Sequence, residues 1–289
     1  MKRLLIIPLL FIFAICESQT IINASPPLRV IASAGGSAVD SASWEVEYKA
    51  VYYEITEAVR PGIDTADVFN TWVKAIKTAD AWSDLDGWFW FAARESTATL
   101  INWIDPTGDN GTYVGSPTFT QWEGFTAASG KYFNTTLDPS VGGYNFIQDD
   151  ASIGAYLRTA SISGEDHPIG SEDGNIYIRP DGGSGTIVAR VNSSSAAYWT
   201  TQGSQGFIIG CRADNANVAM FFNGSDLGDQ SANSAALSEG RIYFGNDLAY
   251  GSTNQIAAGF FGANLTNAKI TVINNATEVV MDYLGKGVQ

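Results

Sequence analysis

Few residues in this chain are placed to do chemistry. Hydrolysis of a glycosidic bond needs two carboxylates facing one cleft, roughly 5–9 Å apart. Strand alternation supplies them when acidic residues stand two positions apart. The acidic pairs here, Glu165-Asp166 and Glu172-Asp173, are adjacent. On a strand, neighbours point to opposite faces, and both pairs sit in Gly-containing turns, so they read as solvated loop charge. His167 is the only histidine, in Asp166-His167-Pro168. No nucleophile elbow accompanies it, so a Ser-His-Asp relay has no seat and a surface loop histidine is expected. If Cys16 leaves with an N-terminal signal, one histidine and Cys211 cannot build a zinc site. No catalytic residue is assigned. The chain reads as a non-enzyme, with glycoside hydrolysis as a remote alternative.

Binding chemistry is better represented. Asp105-Pro106-Thr107-Gly108-Asp109-Asn110-Gly111 puts oxygen ligands in one short loop. Asp105 and Asp109 are therefore candidate Ca²⁺ ligands, with Asp149-Asp150 as a second place to look. The loop matches no EF-hand, and turn formation is the commoner role of such residues. Sugar recognition uses an aromatic face against the apolar side of a pyranose, with polar groups fixing the hydroxyls. Tyr198-Trp199, beside Ser193-Ser194-Ser195 and Gln202-Gly203, is the best candidate platform, and Tyr144-Asn145 and Trp122 follow. Core filling is the competing role, expected more of Trp122 than of Trp199.

The elements that must hold these residues are mostly strands. Trp88 to Ala93 is wholly apolar and bounded by turn residues, the pattern of a strand covered on both faces. A second short strand is expected over Leu100 to Trp103. Trp44 to Tyr52 alternates apolar and charged residues and predicts a half-buried edge strand. Pro61-Gly62 breaks the chain. Asp64 and Asp67 then open a helix whose apolar face is Val68, Phe69, Trp72, Val73 and Ile76, with Lys74 and Lys77 near its end. Further strands are expected at 113–120, 121–126, 131–134, 152–159, 175–179, 185–192, 206–212, 217–223, 240–245 and 255–262. Their spacing, with turns such as Asp181-Gly182-Gly183 and Asn223-Gly224, fits two stacked antiparallel sheets. Residues 263–285 fit either a hairpin or a helix. Thr266 as N-cap, Ile273, Ala276, Val280 and Tyr283 on one face, and Gly285 as the stop favour a helix.

Several of these residues carry a resemblance. Val73-Lys74-Ala75-Ile76-Lys77, Trp82, Leu85-Asp86, Phe89 to Ala93 and Leu100-Ile101-Asn102-Trp103 resemble the opening of a concanavalin A-like (LamG-type) jelly-roll domain of phage virion and bacterial surface proteins. Asn217 to Gly224 resembles that family's strand and hairpin turn. Gly262-Ala263-Asn264-Leu265-Thr266 resembles the turn before its closing helix. The resemblance implies an all-β, concanavalin A-like jelly-roll sandwich of two antiparallel sheets, with a flanking N-terminal helix and a C-terminal helix. It also implies that related sandwiches often hold one Ca²⁺. The Glu-x-Asp-x-x-Glu strand of jelly-roll laminarinase-type glycosidases is missing here.

Size and charge set the remaining bounds. A chain of 289 residues accommodates one large all-β domain with an N-terminal extension. The formal charge of −14 and the lack of a basic stripe exclude nucleic acid as a partner. Lys2 and Arg3 precede an apolar run of about 12 residues, Leu4 to Ile15, which suits a signal peptide and is short for a membrane span. Phe13-Ala14-Ile15-Cys16 partly resembles a lipobox, with a large Ile15 where a small residue is usual; an uncleaved hydrophobic arm is a further alternative. The expected organisation is a signal peptide over 1–18, an extended arm with an edge strand over 19–60, and the jelly roll over 61–289. The expected role is a non-catalytic extracellular, cell-surface or virion-surface protein, lectin-like, in adhesion or glycan binding. Its partners would be surface glycans or polysaccharide. The alternative is a self-assembling structural subunit that binds copies of itself through the N-terminal arm.

Overall fold

The computed structural model describes residues 41–161, 164, 166–180, 185–200, 203–246 and 249–289. The expected signal peptide, Cys16 and the arm up to residue 40 lie outside them. In chain order the elements are α1 (Val46–Glu54), α2 (Ile63–Thr78), β1 (Leu85–Trp90), β2 (Thr112–Val114), β3 (Thr118–Thr120), β4 (Gly124–Thr126), β5 (Tyr132–Asn134), β6 (Ala151–Leu157), β7 (Ile169–Ser171), β8 (Tyr177–Arg179), β9 (Thr186–Arg190), β10 (Ala197–Thr200), β11 (Gly206–Arg212), β12 (Asn217–Phe222), β13 (Ser225–Ser231), β14 (Ile242–Phe244), β15 (Gln255–Gly262) and α3 (Asn267–Tyr283). The fold is all-β: two antiparallel sheets with a few helices, as expected.

One sheet has eight strands in the order β13-β12-β11-β6-β15-β4-β3, with β1 also on β15. The other has seven, β10-β9-β8-β7-β14-β5-β2. Their facing sides supply Phe89, Phe91, Phe125, Phe133, Ile153, Ile178, Ile187, Ile208, Phe244 and Phe261 to one core. Two-residue alternation sends the other side chains outward. The sheets come close enough at Gly259 that a Cβ there would stand 2.1 Å from the Phe244 ring.

The outer face of the eight-stranded sheet is covered too, which is why β6, β11 and β15 are buried throughout. Trp88 stacks on Phe260 at 5.5 Å and meets Trp72 of α2 at 4.4 Å. Phe69 of α2 packs on Trp90 and Trp103. Aromatic pairs at these spacings add to the area they bury. Helix α3 begins where predicted: Thr266 accepts the Lys269 N–H at 3.4 Å.

Two expectations fail locally. Trp44 to Tyr52 is not an edge strand; it runs into α1. The buried residues Trp44, Tyr48, Val51, Tyr52 and Ile55 follow a 3.6-residue period, while Val46, the second apolar position of the alternating pattern, is 70% exposed. Leu100 to Trp103 is not a strand; a 3-10 turn spans Ser96–Leu100. The Asn102 side chain instead stands in for a strand partner. Its Oδ1 accepts the N–H groups of Trp88 and Ile104, and its Nδ2 donates to the Asp86 carbonyl. This closes the free edge of β1 without a further strand.

Candidate functional site

The seven-stranded sheet has an outer face with no helix layer packed on it among the described residues. Ile187 and Ala189 of β9, Ile178 of β8 and Trp199 of β10 belong to the core. Alternation therefore sends Arg190, Tyr177, Arg179, Tyr198 and Thr200 outward. The ladder sets them side by side: Tyr177 opposite Arg190, Arg179 opposite Val188, and Val188 opposite Tyr198. Further along the sheet, outward Tyr243 meets Tyr132 edge-on at 5.2 Å. Burial, and then the Glu172 carboxylate, push the Tyr243 hydroxyl up to about 12, so it stays a neutral donor, 3.4 Å from Glu172 Oε2.

A row of planar groups crosses this face. The Arg190 guanidinium lies 5.3 Å from the Tyr177 ring centre. Tyr177 stacks on His167 at 4.8 Å, and His167 meets Tyr250 at 5.1 Å. Tyr198, at 57% exposure, and Tyr250, at 47%, show wet aromatic surface. A guanidinium over a tyrosine ring is both a cation–π contact and a way of fixing a long side chain.

His167 is thus not a surface loop histidine. It is 3% exposed within that stack. Asp166 is equally buried and accepts the N–H and hydroxyl of Thr253. Nor is Asp173 idle loop charge. Burial alone would raise its carboxyl, but hydrogen bonds from Ser238, the Asn175 N–H, Ser171 and the Glu239 N–H prevail and hold it below the ordinary value. Glu165 lies outside the described residues.

The predicted platform is split by the strand it sits on. Tyr198 faces water, whereas Trp199 is 3% exposed and donates its indole N–H to the Gly228 carbonyl at 2.7 Å. Its faces fill the core and cannot stack on a sugar. Trp122, expected in the core, is only half-buried. Tyr144-Asn145 lies elsewhere. Asn145 gives its N–H to Asp86 Oδ1 at 2.7 Å and its amide to the Ser83 carbonyl, beside β1 of the other sheet. Tyr144 packs against the core, and burial, with the Asp109 charge adding to it, raises its hydroxyl. The two predicted aromatic pairs therefore do not share one site.

Asp105 behaves as a turn former. Asp105 accepts the Gly108 N–H through its carbonyl and the Thr107 hydroxyl through its carboxylate at 3.4 Å. Among the described residues no three His, Cys, Asp or Glu side chains converge as a metal site. Of the second candidate, Asp150 is occupied by the Asn264 N–H. Asp105 and Asp109 would supply two carboxylates, leaving the rest of a Ca²⁺ shell to Asn110 and backbone carbonyl oxygens.

No family model matches this chain, and no curated relative matches it. Solved structures do. The chain is similar to a botulinum neurotoxin type C structure from work on its interaction with two ganglioside molecules, with TM-score 0.50, 15% identity, and 68% of this chain and 52% of that one covered. It is also similar to Trypanosoma rangeli sialidase (TM-score 0.48, 12% identity, 74% and 39% covered). A third likeness is to domain 4 of an arabinanase from Geobacillus stearothermophilus, solved with arabinotriose (TM-score 0.42, 16% identity, 66% and 98% covered). The chain spans about half the length of the neurotoxin chains it matches. At such identities the likeness concerns the fold alone, and that fold is the two-sheet β-sandwich described above.

Proposed function

We propose that the chain is a lectin-like, non-catalytic module, built on a concanavalin A-like (LamG-type) sandwich, that binds glycans on the outer face of its seven-stranded sheet. The observation that carries this reading is the row Arg190–Tyr177–His167–Tyr250 with Tyr198 beside it: two wet aromatic faces, Tyr198 on a strand and Tyr250 on a loop stacked against it, bordered by hydrogen-bonding groups. Such a surface offers a pyranose both stacking and polar contacts. A rigid strand platform also fixes the ring directions before binding. The described acidic residues support a binding role over hydrolysis, because Asp166 and Asp173 are spent on internal hydrogen bonds.

A location outside the cell or on a virion surface, with an adhesion role, is the setting this reading implies. Glycan-array screening of the full chain tests it. Binding that is lost in Tyr198→Ala and Tyr250→Ala, with folding intact, supports the reading. An array with no binder, or binding indifferent to both substitutions, overturns it.

One observation favours the second reading, self-association. Helices α2 and α3 leave an apolar groove of about 230 Å³ lined by Val68, Thr71, Ala75, Ala276 and Val279, with Val279 60% exposed. Exposed apolar surface of this kind marks interaction sites. Sedimentation velocity across a concentration series separates the readings. Val279→Asp removes association if the groove is the interface.

A further inference from the structure

The glycan reading leaves the charge of the glycan open, and Arg190 bears on it. The chain carries 30 acidic against 16 basic residues, and several of its cations are taken up in ion pairs. Lys77 pairs with Glu45 and Glu47, Arg158 and Lys286 with Glu123, and Lys269 with Asp84. Two arginines without a carboxylate are saturated in other ways. Arg212 gives three hydrogen bonds to carbonyls, and Arg60 gives three more. Arg190 differs. It makes one hydrogen bond, Nη1 to the Gly174 carbonyl at 3.1 Å, and no ion pair among the described residues. Its Nε is shielded from water without a partner. Its plane is braced over Tyr177, and it stands on the outer face next to the strand that carries Tyr198.

A guanidinium fixed in place with N–H groups left over is a built receptor for a planar anion. A carboxylate would take the remaining terminal N–H groups as a charge-assisted pair, roughly twice as strong as neutral hydrogen bonds. The overall charge opposes an acidic ligand at long range. That repulsion is largely screened beyond about 8 Å at physiological salt, so the contact at Arg190 decides.

Resting on the glycan reading above, we propose that this face takes a sugar bearing a carboxylate. Arg190 holds the acid and Tyr198, on the neighbouring strand, holds the ring that bears it, while Tyr250, at the far end of the row, can meet only a further sugar residue. Two classes of sugar share that chemistry, hexuronic acids and nonulosonic acids, and the test separates them.

The test is calorimetric titration of the full chain with a galacturonate trisaccharide, its methyl ester and the neutral galactose trisaccharide. A second arm uses 3′-sialyllactose, its methyl ester and lactose. The expected result is that the free acid of one series binds at least about tenfold tighter than its ester. Arg190→Gln should abolish that difference by weakening only the acid, and Arg190→Lys should restore part of it. Tyr198→Ala should weaken acid and ester alike. Circular dichroism and the melting temperature verify that each variant is folded. Equal binding of acid and ester, or an acid preference unchanged in Arg190→Gln, overturns the inference. If neutral sugars bind and Tyr198→Ala removes them, the glycan reading survives that failure. If no probe of either charge binds and the array is empty, both fall.

Discussion

The Trp72 indole N–H donates to the Thr277 hydroxyl at 3.2 Å, a buried bond that joins α2 to α3 over the outer face of the eight-stranded sheet. The residues are 205 positions apart. The bond settles which faces of the two helices look at each other, because an indole ring and a β-branched hydroxyl have little freedom there. Thr277→Val keeps the shape and strands the indole N–H. The expected loss is about 1–3 kcal/mol, the cost of an unpaired buried donor. Urea unfolding of the two proteins measures it, and a loss within error would show the bond to be dispensable.

Arg212 offers a sharper case. It is fully buried, and its guanidinium donates to the carbonyls of Val191 at 2.6 Å, Asp214 at 2.9 Å and Ala232 at 2.7 Å. Burial lowers its pKa, yet no carboxylate pairs with it directly among the described residues. The side chain works as a three-way clip between the end of β11 and the segments that follow β9 and β13. Arg212→Met preserves bulk and leaves those carbonyls unserved. With each orphaned buried acceptor costing about 1–3 kcal/mol, destabilisation of about 3 kcal/mol or more is expected. A change below about 1 kcal/mol would mean that water replaces the guanidinium.

Acid sensitivity should trace to Glu123. Its carboxylate accepts from Lys286 at 2.5 Å and pairs with Arg158 at 2.9 Å, while Arg158 also donates to the Lys286 carbonyl. The hydrogen bond from Lys286 is the largest influence and holds Glu123 below the ordinary glutamate value of 4.5, with Arg158 adding to it against the opposing effect of burial. A carboxyl depressed in the folded state contributes stability that is full above its unfolded value and fades as pH falls through the folded one. Stability of the wild type should therefore decline below pH 4.5. Glu123→Gln should flatten that limb and cost stability near neutrality. Parallel acid limbs in unfolding curves between pH 3 and 7 would contradict the assignment.

Cys211 lies on β11, buried, and has no disulfide partner among the described residues. Burial pushes its thiol up to about 12, so the reactive thiolate is scarce at neutral pH. In the native protein a thiol reagent should label it only as fast as the sandwich opens. Labelling should be complete within seconds in denaturant. Rapid labelling of the folded chain, at a rate independent of stability, would show that β11 is reachable from solvent.

The sheets were legible where the sequence left the backbone one option. Phe89 to Ala93 has no polar side chain, and both faces of β1 are buried. Thr266 and Gly285 bracketed α3 correctly because caps act locally. The residues around Trp44 satisfied two periods at once, and only the continuation to Val51 and Ile55 separates helix from strand. Strand β13 escaped because Ser225 to Ser231 is a polar, exposed edge whose partner is supplied by the turn at Asn223-Gly224. The site was half legible. Tyr198 stood out, but Arg190 did not and His167 read as a surface loop residue, since the stack they form with Tyr177 depends on loops that no local pattern encodes.

Tyr198 and Trp199 give the most discriminating pair of substitutions, because adjacent residues on β10 point to opposite sides of one sheet. Trp199→Ala removes a core indole whose N–H serves the Gly228 carbonyl. It should cost about 3–5 kcal/mol, as large-to-small core changes do. Binding by the surviving folded fraction should be unchanged. Tyr198→Ala removes a ring that is mostly in water, so stability should stay within about 0.5 kcal/mol of wild type. If the outer face is the glycan shelf, this variant loses binding and keeps its melting temperature. Thermal unfolding paired with glycan titration reads both effects on the same samples. The reverse outcome, binding lost in Trp199→Ala at unchanged stability, would move the site off this face and return the indole to the role its sequence neighbours first proposed.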